Sequence, residues 1–152
     1  MIYLFYALIT LLMIAADLVT KVVTMENMPL GSTIPLWEGV FHLTHIRNTG
    51  AAFSILSGQR FFLILLPLIV VVAVIAYIII KRPKNTFLLW ALSMIVSGGI
   101  GNLIDRIRFG YVVDFLDFRL INFPVFNVAD IWVTLGAAIF IAFILFSKED
   151  TI

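Results

Sequence analysis

Phe61-Phe62-Leu63-Ile64-Leu65-Leu66-Pro67-Leu68-Ile69-Val70-Val71-Val72-Ala73-Val74-Ile75-Ala76-Tyr77-Ile78-Ile79-Ile80 is a run of twenty residues without a charge. As a helix it covers about 30 Å, the thickness of bilayer hydrocarbon. Three further runs resemble it. Met1–Ala16 carries no charge and is expected to continue as a retained helix through Asp17 to about Thr24. Thr86–Ile104 has Asn102 near its end, and Val125–Phe146 has Asn127 and Asp130 near its start. The reading is an all-α polytopic membrane protein with four transmembrane helices at about 1–24, 61–80, 86–104 and 125–146, forming a single membrane domain over 1–152. Composition agrees: 62% of residues are hydrophobic and 12% charged, against about 45–50% and about 25% in soluble domains.

The connections set the topology. Lys81-Arg82-Pro83-Lys84-Asn85 is a short turn with three positive charges, and such loops stay cytoplasmic. Both termini are then expected in the cytoplasm. Residues 25–60 form a long outer segment punctuated by Pro29, Gly31, Pro35 and Gly39. Within it, Val40-Phe41-His42-Leu43-Thr44-His45-Ile46 alternates as a strand does, so a small β-rich extracytoplasmic subdomain is expected. Residues 105–124 are read as a second outer loop, broken by Gly110 and Pro124.

In an up-and-down bundle, Asp17, Asn102, Asp105, Arg106, Asn127 and Asp130 share the outer edge, with Asn48 and Asp114 in reach. Charge is rarely left near hydrocarbon without a job. Asn127 and Asp130 share a helical face, as do Asn102 with Asp105 and Arg106, and Asp17 with Lys21. Counted from Val125, Asp130 lies roughly 7–8 Å inside its span. Two carboxyls sharing a proton can activate a water and protonate a leaving amine. Asp130 supplies one of them, and Asp114 or Asp117 the other.

Other chemistries fare worse. With no cysteine, thiolate catalysis, disulfides and cysteine metal sites are excluded. Ser97 lacks the glycine-flanked setting of a serine nucleophile, and His-Glu-x-x-His is absent. His42 and His45, three apart on an alternating strand, face opposite ways, so no metal site is expected. The net charge of +1 leaves no nucleic-acid footprint. A proton-coupled membrane carrier is the alternative reading, and a scaffold whose Asp–Arg and Asp–Lys pairs only orient helices is a third. Against the carrier, the cytoplasmic helix halves offer no polar path.

Five stretches resemble, in order, those of the lipoprotein signal peptidases (signal peptidase II). They are Asp17-Leu18-Val19-Thr20-Lys21, Arg47-Asn48-Thr49-Gly50-Ala51-Ala52-Phe53, Gly101-Asn102-Leu103-Ile104-Asp105-Arg106, Val112-Val113-Asp114-Phe115 and Phe126-Asn127-Val128-Ala129-Asp130. The resemblance implies an intramembrane aspartic endopeptidase of a bacterial cell membrane, with Asp114 and Asp130 catalytic. It implies supporting roles for Asp17, Asn48, Asn102, Arg106 and Asn127, and no cofactor. The implied partners are membrane lipid and a prolipoprotein cut before its diacylglyceryl cysteine, and a monomer is expected. Leu18 and Ile131 depart from the family's usual polar residues. The Val-Val-Asp-Phe match selects Asp114, leaving Asp117 expected as a solvated carboxylate. Asp105–Arg106 is read as an ion pair anchoring the outer loop, Asp17–Lys21 as fixing the end of helix 1, and Gly98-Gly99-x-Gly101 as close helix packing.

Overall fold

A computed structural model describes residues 1–50 and 58–147. Ala51-Ala52-Phe53 of the second matching stretch therefore lies outside the described residues. In chain order the elements are α1 (Ile2–Asn27), β1 (Thr33–Trp37), β2 (Phe41–Asn48), α2 (Arg60–Lys81), α3 (Thr86–Phe109), β3 (Val112–Phe118), a 3-10 turn (Arg119–Ile121) and α4 (Val128–Phe146). All four helices are long and apolar enough to cross a membrane.

α3 is the hub. Its most apolar window is 61% buried, against 11–17% for the other three, so α1, α2 and α4 pack around it and turn their outer faces to lipid. Small residues make this possible. A Cβ at Gly98 would strike the Ala129 carbonyl oxygen, and one at Gly136 would lie 2.8 Å from the Ala91 oxygen. The glycines thus set the approach of α3 to α4. The α2–α3 turn closes with Arg82 in the left-handed region at φ 48°, and Asn85 caps α3 by accepting from the Leu88 N–H. Tyr3 and Tyr6 donate to the Pro83 and Thr86 carbonyls, tying the start of α1 to this basic turn. The first residues and Lys81–Asn85 therefore occupy one end of the bundle.

The opposite end carries an antiparallel sheet in the order β1-β2-β3. β3 corrects the expected 105–124 loop. Alternation cannot reveal this strand, because Val112, Val113, Asp114 and Phe115 are all buried, and a strand covered on both faces loses its period of two. The same segment begins as helix: α3 runs five residues beyond Ile104, through Asp105 and Arg106, to Gly110 at φ 83°.

The start of α4 also differs. The chain is extended through Phe126, which exchanges backbone hydrogen bonds with Leu116 at 2.8 and 3.0 Å. The helix then begins at Val128, with Asn127 as its cap. Asp130 is therefore in the first helical turn rather than five residues inside a span. Asn127 accepts from the Asp130 N–H while Asp130 accepts from the Asn127 N–H, a reciprocal capping box. The pairing of Phe126 with Leu116 of β3 brings the start of α4, and with it Asp130, to the side of Asp114.

Candidate active site

Asp114 projects from β3 opposite Ile46 of β2 and is only 1% exposed. The Asn48 amide donates to its Oδ2 at 2.8 Å, and the Asn127 amide to its Oδ1 at 2.6 Å. Asp130 receives the Asn102 amide on Oδ1 at 2.7 Å and the Asn127 backbone N–H on Oδ2 at 3.2 Å. Every oxygen of the two carboxyls thus accepts a protein N–H. Asn127 touches both, which holds the pair together.

The amides cannot turn round freely. The Asn48 oxygen accepts from the Gly50 N–H, the Asn127 oxygen from the Asp130 N–H, and the Asn102 oxygen from the Lys21 ammonium. Each has a donor on its oxygen, so each presents its NH2 to a carboxyl. The two carboxyls border a cavity of about 710 Å³, which Asn48, Asn102 and Arg106 also line. Its other walls are apolar, including Ile131, Val133 and Leu135 along α4 and Pro124 and Val125 before it. Burial, and then repulsion from Asp130, push the Asp114 carboxyl up to about 7 despite the bonds from Asn48 and Asn127.

All seven residues expected at the site are brought together at this end of the bundle. Asp17 accepts from the Ala129 N–H at 2.8 Å, so it satisfies a free donor at the start of α4 from a neighbouring helix. A Cβ at Gly101 would come within 2.5 Å of its Oδ2, which accounts for the glycine. Arg106 donates to the Gly50 carbonyl at 3.0 Å, fixing the backbone just beyond Asn48.

Two expectations are corrected. Asp105 does not pair with Arg106. It meets the Lys21 ammonium at 3.2 Å and accepts from the Val113 N–H at 3.1 Å, one residue before Asp114. Asp117 is not solvated: it is 7% exposed, and it takes the Thr44 hydroxyl at 2.6 Å and the Arg119 guanidinium at 2.8 Å. Burial works to raise its carboxyl, but the Thr44 and Arg119 hydrogen bonds and the Arg119 charge hold it below the usual carboxylate value. Three residues from Asp114 on a strand, it faces the β1–β2 hairpin and is absent from the cavity wall.

Lys21 is the residue the sequence undervalued. It is 1% exposed and meets Asp17 at 2.8 Å, as expected, but also Asp105 and Asn102. The spacing of Asn102 and Asp105 on one α3 face was the available signal for this wider cluster.

Known proteins of the same kind match nearly the whole chain. Residues 9–146 match the family model for signal peptidase (SPase) II. A lipoprotein signal peptidase of Brevibacillus brevis is 47% identical over 134 residues, 88% of this chain and 90% of that protein. One from Enterococcus faecalis is 44% identical, spanning 94% of this chain and 89% of that one. A solved structure described as a bacterial membrane enzyme superposes with a TM-score of 0.90 at 32% identity, covering 97% of this chain and 91% of the other. With four spans, a small three-stranded sheet and these relatives, the chain belongs to the signal peptidase II family and is a multi-pass membrane peptidase.

Proposed function

We propose that this peptidase removes the signal peptide of prolipoproteins, cutting before a cysteine that carries diacylglycerol, with Asp114 and Asp130 as its catalytic pair. The observation that carries this reading is the dyad itself: two carboxyls bridged by Asn127, each braced by amide donors, facing one cavity that is polar at the aspartates and apolar along α4. A substrate anchored by lipid and by its own signal helix lies in the leaflet plane and can enter such a cavity from the side.

The chemistry follows from the shared proton. Asp114, near 7, retains a proton around neutral pH, while the partner carboxylate takes one from a water held between them. That oxygen bonds to the scissile carbonyl carbon, and the protonated aspartate hydrogen-bonds the carbonyl oxygen as charge develops there. Collapse of the tetrahedral diol breaks the C–N bond and delivers a proton to the departing amine. The products are the signal peptide's carboxylate and a free amino group on the lipidated cysteine. The protein groups needed are Asp114, Asp130 and their Asn and Arg supports.

Purified protein in detergent is expected to cleave a diacylglyceryl-modified prolipoprotein and to leave the unmodified precursor intact. Absence of cleavage by well-folded protein, or equal cleavage of both precursors, overturns the assignment. We further propose that both termini are cytoplasmic and that the dyad faces the outer leaflet, supported by the basic Lys81–Asn85 turn lying beside Tyr3 and Tyr6. A reporter fused at Lys84 is expected to read cytoplasmic, and an outer reading reverses the orientation.

A further inference from the structure

We infer that Lys21 is a positioning residue for the reaction, whose ammonium fixes the polarity of the Asn102 amide and so supplies Asp130 with its hydrogen-bond donor. This rests on the peptidase reading above. An ammonium has three N–H donors, and the three contacts here are Asp17 at 2.8 Å, Asn102 Oδ1 at 3.0 Å and Asp105 at 3.2 Å. Each partner reaches a different part of the site. Asp17 continues to the Ala129 N–H at the start of α4, Asp105 to the Val113 N–H beside Asp114, and Asn102 to Asp130 itself.

The Asn102 link is the one that bears on chemistry. Reversing that amide would set its NH2 against the Lys21 ammonium and against the Asn127 Nδ2–H, which now donates to Asn102 Oδ1 at 3.2 Å. It would also set its oxygen against Asp130 Oδ1. All three juxtapositions are repulsive, so the present orientation is held while Lys21 is there. Without Lys21 the Asn102 oxygen keeps only the longer Asn127 bond, and the amide's one other tie is its own bond to Asp130 Oδ1. A reversed Asn102 tolerates Asp130 only when that carboxyl carries a proton, which removes the base. Neutralising buried acids is not the whole role, because Asp17 and Asp105 alone already outnumber one ammonium.

The test compares Lys21→Met, which lacks both charge and donor, with Lys21→Gln, which lacks the charge but keeps an N–H donor. Charged or titratable groups around position 21 are Asp17 on α1, Asp105 and Arg106 on α3, Asp114 on β3 and Asp130 on α4. Loss of charge therefore acts on both variants alike, and only the donor separates them. Lys21→Met is expected to lower kcat at least about tenfold, the size of one lost bond to a charged group. KM should stay within about twofold, and the acidic limb of the kcat/KM profile should move to higher pH. Lys21→Gln should recover a clear part of the loss. A wild-type profile for Lys21→Met, a change confined to KM, or equal losses in the two variants overturns the inference. If Lys21→Met does not fold, Lys21→Met combined with Asp105→Asn keeps the net charge and is read the same way. Its retaining the wild-type pH profile also refutes the role. Failure of the peptidase reading looks different, since wild-type protein would then not cleave.

Discussion

Asp130→Asn and Asp114→Asn are each expected to lower turnover of a lipidated precursor at least about a thousandfold, the scale for losing one partner of a coupled acid–base pair. The geometry explains why no partial function should survive. Both oxygens of each carboxyl accept a protein N–H, so an amide at either place must point its NH2 at another donor. The variant loses the titrating proton and disturbs the Asn that bridges the pair. The same clash has a stability cost of about 1–3 kcal/mol, typical of an unmet buried hydrogen bond, so cooperative melting should persist. Asp117→Asn is the control: its partners are Thr44 and Arg119, and turnover should stay within a few-fold of wild type. Activity within tenfold of wild type in either dyad variant removes that aspartate from the chemistry. Loss in Asp117→Asn equal to that in the dyad variants points instead to a general requirement for the sheet.

What could be read from the chain divides along the physical signals. Long uncharged runs are dictated by hydrocarbon thickness, so the four spans are legible without any tertiary information. The clustering of Asp17, Asn102, Asn127 and Asp130 follows from where polar residues fall on those spans. β3 was illegible because its two faces are both buried and it shows no alternation. The entry into α4 was misplaced because Val125 and Phe126 are as apolar as the helix behind them, although Asn127 and Asp130 already had capping-box spacing. Asp105 and Asp117 were misjudged for a common reason. A carboxylate's partner is decided by pairing across elements, here by Lys21 of α1 and by Thr44 of β2, and neighbours in sequence do not reveal it. In the sequence, family resemblance alone separates Asp114 from Asp117; in the fold the two carboxyls leave β3 in opposite directions, Asp114 toward Asn48 and Asn127 and Asp117 toward Thr44 and Arg119.

The stability of Asp114→Asn relative to wild type is expected to rise with pH between about 4 and about 7. In the folded protein the Asp114 carboxyl titrates near 7, chiefly because it is buried, whereas an unfolded aspartate titrates at about 3.9. Over that interval the folded wild type binds more protons than its unfolded chain, so its stability falls as pH rises. Above about 7 both forms are ionised and the full penalty is present, at most about 4 kcal/mol for a difference of about three pH units. An asparagine does not titrate. Its mismatched bonds to Asn48 and Asn127 are a constant offset that leaves the slope unchanged. Thermal melts of both proteins in one detergent at pH 5, 6, 7 and 8 should therefore show the variant's Tm rising against wild type up to about pH 7 and levelling off by pH 8. A Tm difference that does not change with pH would mean that Asp114 ionises normally in its buried position. The slope connects stability to the proposed function, because the burial that destabilises an ionised Asp114 also favours a proton on that carboxyl near neutral pH. Under the proposed mechanism, a protein relieved of that penalty would lose the proton that the pair uses.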